Sequence, residues 1–179
     1  LFLTLNYLDR YLGIKSVKRN QLQLVGITCM LVASKYEEIY APQVDDFCYI
    51  TDNTYTRDDI LLMERDILDA LRFELTQPTA RQFLKYLTSL CGADSDLESL
   101  ATYFIELTLL DYSFLSYCPS MVASSALVLA HFTSERVLSV VGFQKCSYYS
   151  TLEIKSCVKE LNKHHQRIKH GPKLGEVGK

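Results

Sequence analysis

The chain has 179 residues, 48% of them hydrophobic, with seven glycines, four prolines and a formal net charge of −2. That composition describes one folded domain or two small ones and excludes a disordered chain. The near-neutral balance gives no general case for a nucleic acid or a membrane surface as partner, although five basic residues against Glu176 alone in 163–179 leave −6 for the rest.

Helical periodicity runs through most of the chain, and no long alternating strand pattern interrupts it. The spacing predicts a first helix over 1–12, with Leu1, Leu5, Leu8 and Leu12 on one stripe, stopping near Gly13. A second helix over 19–39 is blocked by Pro42, and a short third covers 44–49. In "ITDNTYTRDD", Thr56 reads as an N-cap with Asp59 at the capping-box position. The fourth helix follows over 57–71, its apolar stripe made of Ile60, Met63, Ile67 and Leu71. Beyond Pro78 the pattern gives helices over 79–90, 96–110, 119–134, 137–142 and 151–168. Ser95-x-x-Glu98 and Ser150-x-x-Glu153 read as capping boxes, and Gly92 and Gly142 as helix ends. The segment 75–78 is the boundary between two halves.

Those halves read as copies. Shifted by 97 positions, "VGITCMLVA" falls on "VASSALVLA" and "LTLNYLD" on "LATYFIE". The first pair are helices of small and aliphatic residues, which let neighbours approach closely, so each is expected at the centre of its own bundle. The same shift lays Lys35 on Phe132. An ammonium is expensive to bury unless paired. Since the second copy does without a lysine there, the charge belongs to something the first half does alone.

Enzyme chemistry finds no support in the motifs. No Gly-rich phosphate loop, G-x-S-x-G, H-E-x-x-H or H-R-D is present. His131 on an apolar helix reads as a core or surface histidine, and the other three stand near the C-terminal end. No catalytic residue, cofactor or metal is assigned. The six cysteines, at 29, 48, 91, 118, 146 and 157, form no close pair and are expected to be buried, reduced thiols of an intracellular protein. No signal peptide is visible, and no apolar run reaches the roughly 18 residues needed to cross a bilayer. The basic 169–179 tail is expected to be solvated.

The stretches "LNYLDRYL", "LQLVGITCMLVASKYEEIYAPQVDDFCYITDNTYT" and "MERDILDALRFELTQPTARQFL" resemble the N-terminal cyclin box of a mitotic A-type cyclin, and the middle one is similar to the plant subgroup. "ESLATYFIELTLLDY" and "PSMVASSALVLA" resemble the second cyclin box. The resemblance covers 1–168. It implies an all-α fold of tandem five-helix cyclin-box bundles, with an N-terminal box over 1–76 and a C-terminal box over 77–168. The family's first cyclin-box helix, with its tryptophan, has no counterpart here, since the sequence opens on the second helix and contains no Trp.

By that resemblance the chain is not an enzyme but the partner and allosteric activator of a cyclin-dependent kinase in S/G2/M control, acting in the nucleus and also the cytoplasm. The lysine of the family's "SK(Y/F)EE" motif and the glutamate of "MER" carry over to Lys35 and Glu64 as anchors of the kinase's mobile helix. Tyr36, Glu37, Glu38, Ile39, Leu68, Phe73 and Leu75 match neighbouring contact positions. Part of a docking groove for Arg-x-Leu substrates or inhibitors maps to Arg19, Leu22 and Gln23. Two other readings compete: a nucleic-acid-binding transcription-factor module of the same fold, which needs a basic face, and a helical scaffold that activates nothing.

Overall fold

A computed structural model of the chain describes residues 1–134 and 149–170, and all of its regular elements in that range are helical. In order they are α1 (Phe2–Ile14), α2 (Leu22–Glu37), α3 (Val44–Ile50), α4 (Arg57–Ala70), α5 (Ala80–Cys91), α6 (Ser95–Leu107), α7 (Pro119–Thr133) and α8 (Thr151–His170). Short 3₁₀ turns cover Arg19–Gln21, Thr108–Leu110 and Tyr112–Ser116. The helices gather into two compact units, Leu1–Gln77 and a second beginning at Pro78.

In the first unit α2 packs against α1, α3 and α4. One of its faces meets Leu3, Tyr7 and Tyr11 of α1 and Ile67 of α4, while another meets Val44 and Phe47 of α3 and Ile60 of α4. A helix contacted on several sides must be apolar around most of its circumference, which is why α2 carries little polar sequence before its last turn. The second unit repeats the plan. There α7 packs against α5, α6 and α8, and its residues from Val122 to Ala130 are all buried. The two aligned helices are each the centre of a bundle, as their small and aliphatic composition predicts.

The caps are set locally. Thr56 accepts from the Asp59 N–H while Asp59 accepts from the Thr56 N–H, closing the expected box at the start of α4. The Ser150–Glu153 box closes in the same way on α8. Gly92 ends α5 with φ 60°, a left-handed conformation that costs glycine no steric penalty.

Several expectations are corrected. The buried stripe of α1 is Leu3, Thr4, Tyr7 and Tyr11, not Leu1, Leu5, Leu8 and Leu12; Leu1 is exposed, whereas Leu8 and Leu12 only flank the core. Tyrosine wins the centre because the Tyr7 and Tyr11 hydroxyls find acceptors there, the Leu75 carbonyl and the Asp66 carboxylate. The helix also continues through Gly13 to Ile14. Positions 19–21 form a separate 3₁₀ turn, and α2 ends at Glu37 rather than Ile39. On α6 the N-cap is Asp94, which accepts from the Leu97 N–H, so Ser95 lies inside the helix. Among the described cysteines only Cys29 and Cys157 are buried; Cys48 and Cys91 are half-buried and Cys118 is exposed. Helix α8 runs to His170, two residues beyond the expected end at 168, which places Lys169 and His170 on the helix and not in the solvated tail. The expected helix over 137–142, Gly142, Cys146 and positions 171–179 lie outside the described residues.

Candidate functional site

Lys35 stands in the last turn of α2, where the free carbonyls of the helix end favour a cation. Its Nζ donates to both carboxylate oxygens of Glu64 on α4, at 2.7 and 2.9 Å. The pair joins positions 29 residues apart in sequence. The two ends differ in exposure: the Lys35 side chain keeps 44% of its surface in solvent, and that of Glu64 only 14%. An ammonium has three N–H donors, and two are used here. The third is open to solvent or to another molecule.

Around this bridge the chain changes direction twice. After Glu37 the Glu38 N–H donates to the Ser34 carbonyl and the backbone turns extended, leaving Glu37, Glu38 and Ile39 exposed, Ile39 almost completely. At the end of α4, Arg72 and Phe73 both take left-handed conformations, φ 53° and 57°. For residues with a Cβ this costs roughly 1 kcal/mol or more each, and the local hydrogen bonds offset it. The Arg72 N–H donates to the Asp69 carbonyl and the Phe73 N–H to that of Leu68. One consequence is that the Phe73 ring points outward, 64% exposed.

Long-range bonds hold the following segment. Tyr7 donates its hydroxyl to the Leu75 carbonyl at 2.9 Å, and Arg10 donates to the Glu74 carbonyl at 2.8 Å. The Tyr36 hydroxyl lies 2.6 Å from that of Thr76, tying the end of α2 to this segment. Burial pushes the Tyr7 phenol up to about 12, with the nearby Tyr36 phenol adding to the effect. Tyr7 therefore stays a hydrogen-bond donor at any physiological pH.

The structure thus brings Lys35, Glu64 and Tyr36 into one fixed arrangement with the Phe73–Thr76 strip. Leu68 and Leu75 are half-buried and pack on the unit's own core, so they underpin this surface and offer little of it. Arg19, Leu22 and Gln23 are exposed but sit at the other end of α2, about 20 Å from Lys35 along the helix at 1.5 Å per residue. Thr76, Arg10 and Tyr7 are part of the arrangement without having been singled out by their sequence. The bonds of Tyr7 and Arg10 each span more than sixty positions, and no local pattern announces them.

A second polar cluster lies on the same unit. Tyr11 donates to Asp66 at 2.5 Å and Lys15 at 2.9 Å. The Tyr11 hydroxyl, then Lys15, hold the Asp66 carboxyl below the usual carboxylate range. Among the described residues no group of three or more His, Cys, Asp or Glu side chains is placed to hold a metal ion. None of their helices is long and apolar enough to cross a membrane.

What this arrangement can do is bind. A rigid surface with one free ammonium donor, flanking carboxylates and exposed Ile39, Tyr36 and Phe73 has the anchors of a protein interface. Two family models match the chain: the N-terminal domain of cyclins over residues 1–76 and the C-terminal domain of cyclins over 78–175. Cyclin-A1-2 of Oryza sativa subsp. japonica is 48% identical over 179 residues, covering 96% of this chain and 37% of that relative. Cyclin-A1-1 of Arabidopsis thaliana is 45% identical over 170 residues, covering 91% and 37%. The chain therefore spans little more than a third of the length of these plant relatives. Among solved structures, a viral cyclin from herpesvirus saimiri matches with a TM-score of 0.81 at 22% identity, over 92% of this chain and 74% of that one. At that identity the likeness concerns the fold.

Proposed function

The chain belongs to the cyclin family, and on that premise we propose that it is the regulatory subunit of a cyclin-dependent protein kinase, which it binds and activates in S/G2/M control. The observation that carries the proposal is the Lys35–Glu64 bridge, bare on one side and bordered by exposed apolar residues. A kinase active site needs a strand lysine paired with a glutamate on a mobile helix, and an activation loop held open. A surface that accepts the helix only in its inward position shifts the population of kinase states by its differential affinity. Here Lys35 supplies its free donor to helix or strand carbonyls, and Glu64 keeps the ammonium aimed. Tyr36, Ile39 and Phe73 fill apolar pockets, Glu37 and Glu38 face basic groups, and Leu68 and Leu75 stiffen the floor.

The same proposal has the protein act in the nucleus and the cytoplasm, and assigns Arg19, Leu22 and Gln23 to contacts with Arg-x-Leu peptides. The test is to titrate the chain against a panel of purified cyclin-dependent kinases, measuring affinity and phosphate transfer to a substrate peptide. We expect at least one kinase to be activated, with Lys35→Ala and Glu64→Ala each weakening binding by about 2–5 kcal/mol. Much of that loss reflects polar groups of the kinase left unpaired. Variants that melt like the wild type and bind equally well would falsify the assignment of this surface.

A further inference from the structure

The second unit carries a cleft of about 330 Å³ lined by Asp111, Tyr117, Ser156, Lys159, Glu160, Lys163, His164 and Arg167. Three of its cations, Lys159, Lys163 and Arg167, recur every four residues along α8 and therefore share one face. None of the three makes a hydrogen bond or ion pair with a described residue. The carboxylates in the cleft are already engaged. Asp111 accepts from the Ser113 N–H at 2.9 Å and lies 3.5 Å from the His164 ring, whose side chain is 11% exposed. Glu160 accepts the Tyr117 hydroxyl on Oε2 at 2.8 Å, leaving Oε1 without a partner among the described residues. The Ser113 N–H chiefly, with His164 and Arg167 adding their charge, holds the Asp111 carboxyl below its ordinary range.

Like charges four residues apart on a helix repel, and the Asp111 carboxylate offsets this only in part, at Arg167. A bound anion would offset it along the whole face. We propose that this cleft binds a phosphorylated serine or threonine side chain of a peptide, its phosphate held by Lys159, Lys163 and Arg167. The mixed lining favours a peptide over a free ion. A bare dianion would meet the Asp111 and Glu160 carboxylates, whereas a phosphorylated residue brings backbone N–H groups and neighbouring side chains that Glu160 Oε1 and the Ser156 hydroxyl can pair with. The cations span only about 12 Å at 1.5 Å per residue and are interrupted by acids, so a long polyanion such as nucleic acid finds no continuous track. This site lies within the second unit and stands whether or not the Lys35 surface engages a kinase.

The experiment is a fluorescence-anisotropy titration of the 179-residue chain with a labelled degenerate peptide pool carrying one fixed phosphothreonine. The same pool with threonine, inorganic phosphate as competitor, and a single-stranded oligonucleotide serve as comparisons. We expect the phosphorylated pool to bind at least about tenfold more tightly than its threonine counterpart, and to weaken as salt rises. Lys163→Ala with Arg167→Ala should abolish that preference. The single exposed substitution Lys159→Gln should reduce it, which keeps the test open should the double variant melt early. Lys85→Ala on α5 removes the same charge outside the cleft and should leave it unchanged. Equal binding of both pools, displacement by inorganic phosphate at the peptide's own concentration, tighter binding of the oligonucleotide, or an equal loss with Lys85→Ala would each overturn the proposal.

Discussion

Helices α2 and α7 are the same device used twice, and they part company at two places. Along the aligned nine residues α7 is buried throughout, but α2 leaves Met30 46% exposed where its counterpart Leu127 is 1% exposed. One turn later Lys35 reaches across to Glu64, while its counterpart Phe132 is 73% exposed. The core positions agree, down to Tyr7 and its counterpart Phe104, both fully buried. A repeated bundle therefore constrains what faces inward and leaves the last turn of its central helix free to differ. A residue that differs there is answering to something outside the bundle.

The sharpest break in the comparison is Leu127 against Met30. Removing Leu127 leaves a cavity among packed neighbours, so Leu127→Ala should cost about 2–5 kcal/mol, whereas Met30→Ala, at a half-exposed position, should cost less than about 1 kcal/mol. Thermal or urea unfolding of the two variants reads this directly. Comparable losses would mean that the outer face of α2 is covered in solution and that the two helices are equally central.

How much of this was legible follows from which interactions are local. Helix periods, the Thr56 and Ser150 boxes and the Gly92 end were readable because each is decided within four residues. The α1 stripe was not. Leucine spacing pointed one way, and two tyrosine hydroxyls with distant acceptors decided the other. Asp94 and Ser95 are both good caps, and the choice between them depends on where α6 is tethered. At the candidate site, Lys35 and Glu64 were named from a resemblance, and the structure adds that they are bonded to each other. The left-handed Arg72–Phe73 pair that turns a phenylalanine outward had no signal, because neither residue is one that favours that conformation.

Exchanging the paired aromatics probes the core at a smaller scale. Tyr7→Phe deletes the donor to the Leu75 carbonyl and should cost about 1–2 kcal/mol. Phe104→Tyr places a hydroxyl in a fully buried site and should cost about 1–3 kcal/mol unless an acceptor is within reach. A neutral Phe104→Tyr would show the two cores to be interchangeable. The first variant has a second readout in pH. The Tyr7 phenol is raised from 10 to about 12 in the folded chain, so its contribution is present in full below pH 10 and lost as pH rises through about 12. Melting temperature should fall more steeply above pH 10 in the wild type than in Tyr7→Phe.

The smallest effect is expected where the function is proposed to be largest. Half of the Lys35 side chain is in water, and a bridge to so exposed an ammonium is worth about 0–1 kcal/mol after screening and side-chain ordering. Lys35→Ala should cost slightly more than Glu64→Ala. The first leaves a carboxylate that is 14% exposed without its partner, while the second leaves a lysine that can turn to solvent. A double-mutant cycle on unfolding free energy isolates the coupling, and Phe132→Ala sets the background for a residue at the same place in the repeat. A coupling of 2 kcal/mol or more would make the bridge a structural clasp and remove the reason to look outside the chain for what Lys35 does. Below that, the fold has no need of the lysine, and its place at the end of α2 has to be explained by what it meets there.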